Sequence, residues 1–128
     1  MAKTYTDKHS KSGLGSKLPE IDVFQNNYKE YEITITEPEF TSVCPKTGLP
    51  DFGIITIKYV PDKYCAELKS LKMYFNAYRN IGIFMENSTN RILNDFVKAV
   101  KPKKAHITGD FNPRGGIKTL VEAKFPRL

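Results

Sequence analysis

The sequence predicts an α+β domain in which an antiparallel sheet carries two helices on one of its faces. Alternation with a period of two marks strands in both halves of the chain, and two segments of helical character lie between them. The resulting order, β-β-α-α-β-β, places a hairpin on each side of a helix pair. With 128 residues, of which 40% are hydrophobic, the chain suits one domain with one core.

The first two predicted strands flank a loop rich in proline and glycine. Apolar and polar residues alternate over 31–36, and we expect Pro38 to end this strand. In the second strand, Ile55, Ile57 and Tyr59 share one face, while the residues between them are polar. The pattern therefore predicts two half-buried strands joined across the loop.

Helical character begins after the second strand. Residues 67–77 are rich in helix formers. A second helix, which we expect Pro102 to end, carries a single apolar stripe, formed by Ile92, Leu93, Phe96, Val97 and Val100. We expect two further strands over 104–109 and 117–124, with residues 110–116 as the loop between them.

Composition and charge limit the compartment and the partners. Residues 1–17 contain almost no large apolar side chains, so we expect a flexible N-terminal arm followed by a single domain over 18–128. Two cysteines cannot build a disulfide framework, and no secretory signal or membrane-spanning run is visible, which favours the cytoplasm. The formal charge of +6 would attract phosphate groups, either on a cofactor or on nucleic acid.

The loop over residues 41–53 combines a thiol with a carboxyl group. Cys44 is a candidate nucleophile, and Asp51 could return a proton to whatever the sulfur attacks. Pro45, Gly48 and Pro50 restrict the loop. A buried structural thiol and a turn or helix-capping aspartate remain the alternative interpretation, and Cys65 fits a packed thiol better than a second nucleophile.

Several motifs together resemble the short form of the NADPH-dependent 7-cyano-7-deazaguanine reductases. The most specific are Cys-Pro-x-Thr-Gly-x-Pro-Asp, beginning at Cys44, and Glu-Leu-Lys-Ser-Leu-Lys, beginning at Glu67. The segments Tyr-Arg-Asn from Tyr78 and Gly-Asp-Phe-Asn-Pro-Arg-Gly-Gly from Gly109 also match, in the expected order. The resemblance covers roughly residues 28–125.

The resemblance implies a fold, a reaction and an assembly. The family has the tunnelling fold, which forms rings, and we expect a decamer of two stacked pentamers with active sites at subunit boundaries. Its members reduce the nitrile of 7-cyano-7-deazaguanine to a primary amine with two NADPH and no metal, in the biosynthesis of the tRNA nucleoside queuosine. No direct contact with nucleic acid and no membrane partner are then expected.

The resemblance also implies a role for individual residues. Cys44 matches the nucleophile that forms a covalent thioimide, and Asp51 matches the proton donor. The positions matching the substrate-binding residues are Ala66, Glu67, Leu68, Met85 and Glu86. Those in the segment associated with NADPH are Lys69, Ser70 and Lys72. From the sequence pattern alone, Glu86 would be interpreted as a carboxylate at the start of a helix. The segment with Lys69 and Lys72 would be interpreted as a solvated helix face.

The chain departs from the family pattern beside Glu86. Met85 stands where the family has histidine, and Ile81 stands where a histidine is frequent. Methionine cannot relay a proton, so two alternatives stay open: a related amidinotransferase that acts on the nitrile in tRNA, and a non-catalytic purine- or RNA-binding domain. His9 and His106 are not spaced with the cysteines as the ligands of a zinc site would be. Residues 112–116 could hold a phosphate or could simply form a turn.

Overall fold

A computed structural model describes residues 6–127 of the chain. The elements, in chain order, are α1 (Asp7–Ser10), β1 (Val23–Gln25), β2 (Ile33–Val43), β3 (Pro50–Val60), β4 (Tyr64–Ala66), α2 (Leu68–Ala77), a 3₁₀ turn (Tyr78–Asn80), α3 (Met85–Val100), β5 (Lys104–Arg114) and β6 (Ile117–Phe125). Antiparallel strands and the two predicted central helices confirm the α+β class. None of the helices described over 6–127 is long and apolar enough to cross a bilayer.

The main sheet has four antiparallel strands in the order β2-β3-β5-β6. Ile55, Ile57 and Tyr59 of β3 are buried, as their alternation predicted, and Ala105 and Ile107 lie opposite Tyr59 and Ile57 on β5. Residues between them, such as those at 56 and 58, are more exposed. The core therefore lies on one face of the sheet.

Helix α3 covers that face and is packed closely against it. Four of its five predicted stripe residues, Ile92, Leu93, Phe96 and Val100, are fully buried. Phe96 meets the ring of Tyr59 edge-on, with centroids 4.8 Å apart. At Gly109 of β5, a Cβ atom would lie 2.5 Å from Oγ1 of Thr89. The helix can approach the sheet this closely because Gly109 has no side chain.

Strand β2 does not end at Pro38, contrary to the sequence prediction. It continues to Val43, and its register against β3 shifts between Glu37 and Phe40. Strand β2 lies at the edge of the sheet, where a residue without an N–H can be accommodated at a bulge. The strand therefore extends up to Cys44.

The segment 110–114, predicted to be a loop, instead continues strand β5. Its register against β6 shifts between Phe111 and Arg114, and the turn itself consists of Gly115 and Gly116, with φ of 57° and 82°. Positive φ at both central residues is the geometry of a tight hairpin turn, which glycine adopts without strain. A small second sheet, β1 paired with β4, was also not predicted, because residues 18–27 show no clear period.

Residues 6–17 contact the body of the protein, although this segment was expected to be a flexible arm. The Ser12 hydroxyl donates to the Gly82 carbonyl at 2.6 Å, and the Asn87 amide donates to the Ser10 carbonyl at 2.7 Å. Arg91 donates to the carbonyls of Gly13 and Ser16. The division into an arm and a domain stays a prediction, and residues 1–5 and 128 lie outside the described part of the chain.

Candidate active site

The loop between β2 and β3 places Cys44 at the end of a strand, on the same side of the hairpin as Asp51. In the register of the two strands, Ser42 lies opposite Asp51 and Val43 lies opposite Pro50. The Cys44 amide donates to the Leu49 carbonyl at 2.9 Å, so the loop closes directly after the strand. Because side chains two positions apart share a face, the Cys44 side chain lies on the face of Ser42 and Asp51.

Cys44 has the surroundings of a reactive thiol. It is only 5% exposed, and burial alone would raise its pKa. Hydrogen bonds from the Thr47 hydroxyl and amide, from Arg114 and from the Lys46 amide outweigh burial and lower the pKa of Cys44 to about 7. A large fraction of this cysteine is therefore thiolate near neutral pH, and the thiolate is the nucleophilic form.

Asp51 is a buried carboxyl group, 3% exposed, held against a guanidinium. Nη1 of Arg114 lies 2.9 Å from Oδ1 of Asp51. Burial raises the pKa of Asp51, and the positive charge of Arg114 opposes that rise only in part. Within the described residues, Oδ1 accepts no well-aligned hydrogen bond, so the pair is held by charge attraction at short range. A carboxyl group with a raised pKa suits proton donation.

Ser42 adds a second polar atom without a partner. Its side chain is fully buried, and its Oγ finds no hydrogen-bond partner within 6–127. Buried hydroxyl groups without partners are rare because desolvation costs about 1 to 3 kcal/mol. Since Ser42 lies opposite Asp51, the unsatisfied oxygens of the two residues mark one place where a bound molecule could supply partners.

The start of α3 lies close to the Cys44 strand in the same subunit. The Val43 amide donates to the Ile81 carbonyl at 3.0 Å, and the Ile83 amide donates to the Val43 carbonyl at 2.9 Å. Helix α3 begins two residues after Ile83, so Met85 and Glu86 follow directly. Met85 packs against the core, whereas Glu86 is exposed.

The remaining residues that the family resemblance assigns to substrate and NADPH lie around the start of α2. Ala66 is buried, and Leu68 is 62% exposed. The Glu67 carboxylate caps the helix, accepting from the amides of Lys69 at 2.9 Å and Ser70 at 2.8 Å, and these hydrogen bonds lower its pKa. The Ser70 hydroxyl donates to the Glu67 carbonyl and accepts from the Asp22 amide.

Within one subunit these two groups of residues lie at opposite ends of β3. Asp51 and Tyr59 are eight positions apart on that strand, about 27 Å of extended chain. The Tyr59 hydroxyl accepts from the Ala66 amide at 3.0 Å, which fixes the start of α2 at the Tyr59 end. The structure therefore brings Cys44, Asp51 and the start of α3 together, whereas the start of α2, with Glu67, lies at the Tyr59 end of β3.

Arg114 is the residue that sequence reasoning missed. It lies in the segment interpreted as a phosphate loop or a turn, and nothing in its spacing from Cys44 indicates a contact. The bulge in β5 and the hairpin geometry create that contact. The other candidates are placed elsewhere: His106 contacts Glu122 at 2.9 Å, and Cys65 is buried near the Tyr31 hydroxyl. No cluster of three or more potential metal ligands occurs among residues 6–127.

The fold and the site together define a class, a small α+β domain whose cysteine is equipped for nucleophilic chemistry beside an acid. More particularly, the chain belongs to the QueF-like protein family, whose model matches residues 50–127. Both statements agree with the resemblance noted in the motifs.

Two curated relatives carry the same name, NADPH-dependent 7-cyano-7-deazaguanine reductase. The protein of Elusimicrobium minutum is 60% identical over 124 residues, covering 96% of this chain and 94% of the relative. That of Chloroherpeton thalassium is 58% identical over 107 residues, covering 82% and 92%. The apo crystal structure of an archaeosine synthase QueF-Like superimposes with a TM-score of 0.73 at 20% identity, covering 79% of this chain and 99% of the other, and shows a shared fold.

Proposed function

We propose that this protein reduces the nitrile of 7-cyano-7-deazaguanine to the aminomethyl group with NADPH, as a step in queuosine biosynthesis. The relatives at 60% and 58% identity are named for this reaction. The observation that carries the proposal is the Cys44 thiol, whose pKa is lowered to about 7 beside the buried Asp51. That pair provides what covalent addition to an electrophilic carbon requires.

Cys44 and Asp51 divide the first step between them. The Cys44 thiolate attacks the nitrile carbon, a C–S bond forms, and one π bond of the nitrile becomes an N–H bond with a proton from Asp51. The product is a thioimide attached to the protein. Asp51 suits this role because burial raises its pKa, so its acid form is more accessible than that of an exposed aspartate.

Lys69 and Lys72 are the residues we propose for holding NADPH. Both are exposed on α2, where ammonium groups can meet phosphates. Ser70 belongs to the same proposed cofactor segment, and its hydroxyl, which has two backbone partners, also shapes the helix start. NADPH, when bound, supplies a hydride in each of the two reduction steps.

Glu86 is the proposed recognition group for the deazaguanine. A carboxylate can accept from both the ring N–H and the exocyclic amine of such a ring. Met85, which packs against the core, would supply an apolar wall rather than a proton relay. Ala66, Glu67 and Leu68 complete the proposed substrate site, with Glu67 acting through its backbone as well as its carboxylate, which already caps α2.

A ring assembly would unite the two groups of residues. Because the start of α2 is held at Tyr59, which lies about 27 Å along β3 from Asp51, we infer that a site using both groups takes them from two subunits. This separation supports a tunnelling-fold ring, and we propose two stacked pentamers with active sites at the boundaries. Two free cysteines suit a reducing cytoplasm.

Other functions are less well supported. The archaeosine synthase structure shares the fold at 20% identity, too little to transfer an activity, whereas the reductases are three times as similar. A purine- or RNA-binding domain without catalysis would not need a thiol of lowered pKa beside a buried carboxyl group.

Absorbance at 340 nm separates these functions. On mixing protein, NADPH and 7-cyano-7-deazaguanine, we expect nitrile-dependent loss of NADPH. Without NADPH, the nitrile should add one substrate mass to the protein, and Cys44→Ala should abolish this adduct whereas Cys65→Ala should keep it. Asp51→Asn should lose most turnover because an amide cannot donate the proton. An adduct that survives Cys44→Ala would refute the assignment of the nucleophile.

A further inference from the structure

Arg114 contacts both reacting groups of the proposed site at once. Its Nη1 lies 2.9 Å from Oδ1 of Asp51, and its interaction with the Cys44 sulfur helps to lower the pKa of that thiol. The two acidic groups are almost fully buried, whereas the Arg114 side chain is 39% exposed. One cation therefore bridges the nucleophile and the proton donor from the solvent side.

The fold explains why Arg114 reaches this place. Gly53 of β3 lies opposite Phe111 of β5, and the bulge after Phe111 changes the register before Arg114. The end of β5, at Arg114, therefore lies beside Asp51 of β3. Arg114 precedes the tight Gly115–Gly116 turn and is held by its pairing with Ile117. Its backbone is therefore fixed, while its half-exposed side chain has room to move.

Arg114 contributes a positive charge to this cluster, whereas the neighbouring groups of the Cys44 loop that lower the pKa of the thiol do so through neutral hydrogen-bond donors. Thr47 supplies a hydroxyl and an amide, and Lys46 supplies an amide, all from the same loop as Cys44. Asp51 contributes a carboxyl group from β3. Hydrogen bonds from the neutral Thr47 groups favour the thiolate most, and the Arg114 cation adds to them. Unlike the neutral donors, a cation also favours the carboxylate form of Asp51.

We propose that Arg114 is a positioning residue that holds Cys44 as thiolate and Asp51 as carboxylate in the resting enzyme, and that it releases Asp51 when the nitrile binds. The proposal rests on the assigned roles of Cys44 and Asp51. Release is required because a guanidinium partner keeps Asp51 ionised, and an ionised carboxylate has no proton to donate. Once the Arg114 guanidinium moves away, burial favours the protonated form of Asp51. Asp51 then donates its proton to the nitrile nitrogen.

This arrangement fixes the proton balance of adduct formation. Starting from thiolate and carboxylate, the nitrile gains one S–C bond and one N–H bond, and no group of the resting site carries the proton needed. Asp51 must therefore take it from solvent, so one proton is absorbed for each thioimide formed. Starting from a neutral thiol, the thiol proton would suffice, and no net uptake would occur. No electrons are transferred in either case.

The first test follows the ionisation of Cys44 without any substrate. The rate of alkylation by iodoacetamide is measured against pH, with the modified cysteine identified by peptide mass. We expect Arg114→Gln to raise the midpoint by one unit or more. A shift from about 7 to about 8 would make alkylation at pH 7 about fivefold slower. An unchanged midpoint in a folded Arg114→Gln protein would overturn the proposal.

Matched variants separate the bridge from general charge effects. Lys118→Gln removes one positive charge from the same hairpin, and Lys118 pairs with Asp110 rather than with Cys44 or Asp51. We expect it to leave the midpoint unchanged, and a shift equal to that of Arg114→Gln would contradict the specific bridge. Arg114→Lys keeps the charge but loses the planar fork, so we expect an intermediate midpoint.

The second test needs no variant and uses the wild-type protein. Calorimetry of adduct formation in two buffers of different ionisation enthalpy counts the protons absorbed. We expect close to one proton per adduct at pH 8.5 and about one half at pH 7, where Cys44 with a pKa of about 7 is half protonated. An uptake near zero at pH 8.5, with the adduct verified by mass, would refute the proposed resting state. Failure to form any adduct at Cys44 would instead refute the proposed function.

Discussion

Mixing two inactive variants should restore activity, because the proposed site takes residues from two subunits. Cys44→Ala removes the nucleophile at one end of β3, and Glu67→Ala alters the other end, about 27 Å of strand away. In a ring, the intact Cys44 of one subunit can still meet the intact Glu67 of its neighbour. The two defects then lie in different chains and complement each other.

The size of the recovery follows from counting sites. When equal amounts of the two variants exchange at random, half of the Cys44 positions and half of the Glu67 positions are intact, so about one quarter of the boundary sites contain both. We expect nitrile-dependent loss of NADPH at up to about one quarter of the wild-type rate, after exchange has been verified by mass spectrometry of the assemblies.

Two outcomes would refute this reasoning. If verified mixed assemblies stay at background, Cys44 and Glu67 act within one chain. If Glu67→Ala alone turns over like the wild type, Glu67 serves only as the cap of α2, where its loss would cost about 0.5 to 2 kcal/mol of stability. Circular dichroism of each variant before mixing excludes unfolding as the cause of inactivity.

Four further predictions concern recognition and stability. Glu86→Gln should weaken nitrile binding about tenfold or more in calorimetry, because an NH₂ group replaces one acceptor oxygen, while NADPH affinity stays unchanged. If the variant binds the nitrile as tightly as the wild type, Glu86 is only a carboxylate at the start of a helix. Met85→His should be tolerated or raise turnover. Burial raises the pKa values of Tyr74 and Tyr78, so their contribution to stability is complete below pH of about 10 and is lost as the pH rises further. Urea unfolding at pH 8 and pH 11 measures that loss, and Tyr74→Phe should reduce it. Gly109→Ala should lower the free energy of unfolding by about 1 to 3 kcal/mol, because its Cβ would overlap a threonine of α3; an unchanged value would show that the helix can shift.

Much of the fold was predictable because hydrophobic periodicity reports which side chains face the core. The stripe of α3 and the alternation of β3 are examples, and both faces are buried as expected. Strand ends were less predictable. Pro38 is compatible with a strand only because β2 is an edge strand with a bulge, and pairing order is a property of the whole sheet rather than of the local sequence.

In the candidate site, too, some residues were predictable from the local sequence and others were not. Cys44 and Asp51 are close in sequence, so one loop suffices to suggest them. Arg114 is seventy residues away from Cys44 along the chain, and a register shift of one hairpin decides whether it arrives beside Asp51. Motif resemblance indicated Glu67 and Lys69, but only the structure shows that they lie at the end of β3 remote from Asp51.

The position of β2 and β6 at the borders of the main sheet has a consequence for handling the protein. Each pairs with one neighbour in the described part of the chain, so each presents a row of backbone donors and acceptors to its surroundings. Such borders are templates on which further strands can add, and a chain outside the proposed ring would therefore be prone to aggregate. Refolding from denaturant should then have an optimum protein concentration: below it, subunits meet too rarely, and above it, disordered strand addition outpaces correct association.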